Sequence, residues 1–410
     1  MHTEIVGRVE PTIVHWEHPF MHGPFAPNYV EYTATDLEVI GEVPQRLNGV
    51  YLRNTQNPVH EPLGTHHAFD GDGMLQQLSF RNGKVEYRNR FLRTKGFEEE
   101  QAAGHALFAG LIDNPKIAQR DGWGARGGLK DTSATDVIVH AGSALTTFYQ
   151  CGEPYRFDAR TLAPLGVSSW GAKVLEDNGI SAHPKVCPKT GDLLFFNYSK
   201  SAPYMYYGEV NAQDELVHYV PVPLPGPRLP HDMMFTENFA ILDDFPLHWD
   251  ESLLSQGKHK LSYFEQQPSR FAVVPRRHAP QTGVKWFEAS PTYVLHWLNA
   301  WEEGDEIVMH GYHQKHPMPK QGYDNTGGTL GPDRYGPTIY EWRLNMRTGE
   351  VKERRLLDQY LEFGMINARN WGAPYRYSYN MIAHPKHILF DGILRFNNTT
   401  GKMKKKQYGK

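Results

Sequence analysis

The sequence predicts an all-β fold. Three observations carry that reading: short segments rich in β-branched and aromatic residues recur along the chain, glycine turn pairs punctuate them, and helical periodicity is almost absent. The segments 83–91, 136–141, 193–198, 238–243 and 306–312 are each bounded by Gly, Pro, Asn or Asp. Asp70-Gly71, Asn82-Gly83, Asn178-Gly179, Thr190-Gly191 and Thr348-Gly349 supply the turns between such runs. One stretch, about residues 97–119, spaces Ala, Leu and Phe three to four apart and reads as a helix. No linker, low-complexity segment or shift in composition divides the chain, so residues 1–410 read as a single domain.

Composition excludes several classes of function. With 12% aromatic residues and a formal net charge of −3, the chain is neither globally disordered nor charged for nucleic acid. The one basic cluster, Lys402, Lys404, Lys405 and Lys406, reads as a solvated tail rather than a contact with an anionic surface. Cys151 and Cys187 lack CxxC spacing and point to a reducing compartment. No charged and apolar leader pattern opens the chain, and no apolar run reaches about 18–20 residues, so the expectation is a cytoplasmic protein.

Histidine is abundant, with 21 copies, and three stand in suggestive settings. His183 precedes a predicted strand, His231 follows a proline-stiffened approach, and His296 lies within an apolar strand. The first two are 48 residues apart, close to the roughly 40–50 residues of one propeller blade. Imidazoles at equivalent places on successive blades converge on the propeller axis, and such a set suits iron, copper, nickel or zinc. The residues alone leave open three unrelated histidines. His310, His313 and His316 have HxxHxxH spacing, but in a strand leaving for a loop they read as surface residues. Asp70-Gly71-Asp72-Gly73 is a tight turn, because Arg81 occupies the position where a calcium loop needs a glutamate. The adjacent pair His231-Asp232 cannot supply a two-histidine, one-carboxylate facial site.

Five ordered words sharpen the reading. They are Asn48-Gly49-Val50-Tyr51-Leu52-Arg53-Asn54, Phe69-Asp70-Gly71-Asp72-Gly73, Ser181-Ala182-His183-Pro184-Lys185, Leu229-Pro230-His231-Asp232, and His296 followed by Asn299-Ala300-Trp301-Glu302. Together they resemble the carotenoid oxygenase family from about residue 40 to residue 400, with bacterial members most similar. The resemblance implies a seven-bladed β-propeller with Fe(2+) on its axis, held by four neutral histidines, of which His183, His231 and His296 match the first three. It implies oxidative cleavage of a conjugated carbon–carbon double bond in a lipophilic carotenoid or apocarotenoid, with dioxygen as co-substrate. Glu362 matches an acid that accepts a ligand histidine's other N–H, Gln150 occupies the position of another, and Thr135 matches a threonine beside the iron. Phe235, Trp297 and Trp301 are expected along an apolar substrate tunnel. The helical stretch 97–119 either packs on the propeller or dips into a membrane surface.

The late His-Gly word that carries the family's fourth histidine has no counterpart here. The expectation is therefore a shortened propeller, its C-terminal blades incomplete and its metal weakly retained. Two alternatives accompany the carotenoid reading. One is cleavage of a stilbene-like phenylpropanoid, for which Lys130 is placed to meet a phenol although Phe91 stands where a tyrosine is expected. The other is an inactive propeller that binds without catalysis.

Overall fold

The computed structural model describes every residue except 1, 14–17, 19–20, 36, 68, 112, 123–128, 173–174, 176–177, 250–251, 254–260, 318–335, 384–389 and 409–410. The chain forms two compact units, Met1–His183 and Pro184–Lys410. Both are built from antiparallel sheets of the kind that make propeller blades.

The first unit holds two blades. In the first, the hydrogen-bonded order is His2–Arg8, Val30–Thr35, Lys84–Phe91, Asp72–Arg81 and Gly49–Asn57. The Asn82-Gly83 turn closes its central hairpin with both residues at positive φ, 51° and 74°, the geometry that matches strand twist. The second blade runs Asp136–His140, Ser143–Thr147, Tyr155–Asp158 and Pro164–Val167. Asn54 and Gln56 donate to the Ser133 and Ala134 carbonyls at 2.7 and 3.1 Å, which fixes the last strand of the first blade against the chain entering the second.

The second unit holds four blades. The third begins at Lys185–Val186, the fourth at Met234–Phe235, the fifth at Tyr293–Glu303 and the sixth at Leu361–Ile366. In each of these sheets the first strand is followed outward by three more. The first strands of the fourth, fifth and sixth blades run beside one another. A separate two-stranded hairpin, Leu247–Trp249 with Leu261–Tyr263, branches from the fourth blade.

The described residues therefore make six blades, where seven were expected. The N-terminal strands His2–Arg8 and Val30–Thr35 extend the first sheet instead of founding another. The expected helix 97–119 is also corrected. The α-helix spans Lys95–Ala103, capped at Thr94 by the Phe97 N–H and ended by Gly104 at φ 73°. Beyond it, the described residues up to 119 form a 3₁₀ turn at Pro115–Ile117 and no further α-helix. Among the described residues, no helix is long and apolar enough to cross a membrane.

His310 is not a surface residue. It sits on the second strand of the fifth blade, covered on both faces, and its ring meets the Tyr375 hydroxyl at 2.7 Å and Glu341 at 3.1 Å. His313, three residues on, points to the opposite face of the strand and stacks on Tyr340, while His316 pairs with Glu265. Strand periodicity thus disperses a spacing that a helix would gather.

The fourth and fifth blades share an aromatic core. Phe271 meets Trp297 and Trp342 edge-on, with centroids 5.9 and 6.1 Å away, and those two indoles lie 5.3 Å apart. Phe271 is fully buried. Phe271→Ala should cost about 3–5 kcal/mol, read as a lower thermal denaturation midpoint; an unchanged midpoint would count against this packing.

Candidate metal centre

The second unit brings His231 and His296 together, with ring centroids 5.2 Å apart and planes inclined at 69°. His231 is three residues before the first strand of the fourth blade, and His296 lies on the first strand of the fifth. His183 is two residues before the first strand of the third blade. Its backbone has φ 56°, a left-handed conformation that persists for a branched ring only where the surroundings dictate it.

Carboxylates orient two of these rings. Asp136, the first residue of the second blade, meets His183 Nδ1 through Oδ2 at 2.8 Å. Glu362, on the first strand of the sixth blade, meets His296 Nδ1 through Oε2 at 2.7 Å. The same Glu362 oxygen accepts the Phe363 N–H at 2.6 Å, where the strand register slips between Glu362 and Met365. A neutral imidazole that donates Nδ1–H to a carboxylate presents its Nε2 lone pair in a fixed direction. Burial drives His296 toward its neutral form, but the Glu362 charge outweighs it and leaves the imidazole pKa above its ordinary 6.5. Imidazoles steered in this way by carboxylates are donors that fit a divalent transition metal.

Residues 25–410 match the family model described as retinal pigment epithelial membrane protein. The chain belongs to the carotenoid oxygenase family. It is 30% identical over 384 residues to a carotenoid 9,10(9',10')-cleavage dioxygenase of Phaseolus vulgaris, a match covering 88% of this chain and 68% of that one. It is 30% identical over 382 residues to an isoeugenol monooxygenase of Pseudomonas nitroreducens, covering 90% of this chain and 77% of that one. The solved structure of a Pseudomonas brassicacearum lignostilbene dioxygenase superposes with a TM-score of 0.83 at 24% identity, over 98% of this chain and 85% of that one. That likeness carries the propeller fold.

Within this carotenoid oxygenase, the other residues singled out from the sequence divide. Phe235 and Trp297 line a cavity of about 90 Å³ together with Lys185, Met234, Met365 and Trp371. Trp301 is not among the lining residues; it packs edge-on against His310 and Tyr375 at 4.9 and 5.8 Å. Thr135 Oγ1 accepts the Tyr149 N–H at 3.1 Å, joining the entry of the second blade to a later turn. Gln150 is buried, and its Oε1 has no hydrogen-bond partner among the described residues. The carboxylate on His183 is Asp136, which sequence reasoning passed over. Its only signal was an acid next to Thr135 at the start of a strand, 47 residues from the histidine it meets.

The sign of the His296 shift sets a pH dependence for the metal-free protein. The Glu362 pair stabilises the fold fully below pH 6.5, and that contribution is lost as pH rises through the raised pKa. Glu362→Gln removes the largest contributions that oppose desolvation and leaves Asp232 alone against it, so an imidazole ¹⁵N titration should find His296 above 6.5 in the parent and titrating at lower pH in the variant.

Proposed function

We propose that the chain is an Fe(2+)-dependent oxygenase that cleaves a conjugated carbon–carbon double bond of a carotenoid or apocarotenoid into two carbonyl fragments, using dioxygen. The observation that carries this reading is the pair His231 and His296, with ring centroids 5.2 Å apart and Glu362 on His296 Nδ1 at 2.7 Å. The imidazoles of His183, His231 and His296 would hold the metal, and iron(II), when bound, supplies the activation of dioxygen that no side chain here can provide. Asp136 and Glu362 hold the Nδ1 protons and, as anions, offset the charge of a cation bound by neutral ligands. Phe235, Met234, Trp297 and Met365 offer apolar surface for part of a polyene, with Lys185 among them. The named activity of the bean relative supports double-bond cleavage as the reaction.

A phenylpropanoid substrate is the second reading, and Lys130 favours it. Its ammonium is buried in a cavity beside Phe148 and Tyr149, held by Asp72 at 2.7 Å and by Glu100. Burial works against that charge, yet the two carboxylates outweigh it and keep the pKa well above the ordinary lysine value. A cation fixed in this way can donate a further hydrogen bond to a phenol oxygen. Phe91, which stacks on Phe97 at 5.5 Å, brings no hydroxyl to assist it. The isoeugenol and lignostilbene relatives support this choice of substrate.

Reconstitution with ferrous iron should load about one equivalent, read by elemental analysis, and His231→Ala or His296→Ala should weaken retention about tenfold or more. The loaded protein should release aldehydes from an apocarotenoid or from isoeugenol, separated by chromatography. Lys130→Met should depress turnover of isoeugenol but not of an apocarotenoid if the phenol reading holds.

A further inference from the structure

The adjacent acid Asp232 cannot complete a facial metal triad, yet it is only 2% exposed and its backbone partners stand beside His231 and His296. Its Oδ1 accepts the Lys185 ammonium at 2.6 Å and the Met233 N–H at 2.7 Å. Its Oδ2 accepts the Trp297 N–H at 2.8 Å. Lys185 follows His183 by two residues, Met233 follows His231 by two, and Trp297 follows His296 by one. One carboxylate therefore touches the chain within two residues of every candidate ligand.

The backbone explains why an acceptor is needed at this point. The pairing of Tyr293–Glu303 with Glu306–Gln314 slips between Val294 and Trp297 and again between Trp297 and Asn299. Such a bulge re-aims a side chain and takes a backbone N–H out of the ladder. A buried N–H without an acceptor is costly, and Asp232 supplies that acceptor. The bulge that turns His296 toward His231 is thus secured by the residue next to His231. Lys185 supplies the opposite charge without which a carboxylate this deeply buried would be strongly destabilising.

We infer that Asp232 is a positioning residue that fixes the spacing of His231 and His296 through Lys185, Met233 and Trp297. The inference rests on the metal-site reading above. An asparagine at this position accepts through one atom only, and it leaves the Lys185 ammonium without its counter-ion. The isosteric pair Asp232→Asn with Lys185→Met removes both charges together.

The test compares the full-length parent, Asp232→Asn and the double variant, using cobalt(II) alone as the probe. Dissociation constants are measured by titration and site geometry by the visible d–d spectrum. Thermal midpoints of the metal-free proteins report whether each one folds. The expected result is a loss of about 10–100-fold in cobalt affinity with an altered spectrum, in a double variant that keeps a cooperative thermal transition. A double variant that binds within about threefold of the parent with the same spectrum would overturn the assignment, as would one that no longer folds. If the parent itself binds no cobalt, the metal-site reading fails, and metal-free crystal structures then decide the positioning role. A change of about 1 Å or more from the 5.2 Å separation of the His231 and His296 rings supports it, and an unchanged separation overturns it.

Discussion

The buried contact between His296 and Glu362 is the interaction on which the rest of the site depends. It joins the first strands of two neighbouring blades at 2.7 Å. It sets the ring orientation, holds a proton on Nδ1, and places a negative charge next to the position where a cation would sit. The pair forms because both strands depart from regular pairing at this level. Regular strands would point alternate side chains to opposite faces and leave no reason for these two to meet.

Blade architecture turns local strand order into a functional address. Asp136, His296 and Glu362 lie on first strands, and His183 and His231 precede first strands by two and three residues. Outer strands carry other duties. The fully buried Trp342 fills the core on the third strand of the fifth blade, and His310 on the second strand joins Tyr375 to Glu341.

Much of this was legible in the sequence. Strands at 136–141 and 193–198, the Asn82-Gly83 hairpin and the three ligand candidates followed from residue type, turn chemistry and ordered words. Glu362 was legible only through family resemblance. The number of blades was not, because the residues of His2–Arg8 do not reveal which sheet they will join. The helix was overextended because Ala, Leu and Phe after Gly104 keep a helical spacing without forming one. His310 was misplaced because strand burial on both faces depends on neighbouring blades, which no local pattern records.

The sequence by itself determined the all-β class and the family, and it singled out three candidate imidazoles, since each depends on residue type at short range. Tertiary structure alone decided which acids serve them. Asp136 reaches His183 across 47 residues and Asp232 reaches Trp297 across 65. A carboxylate's role is set by what lies within 3 Å of it, and strands distant in sequence meet at that distance only after the blades have packed.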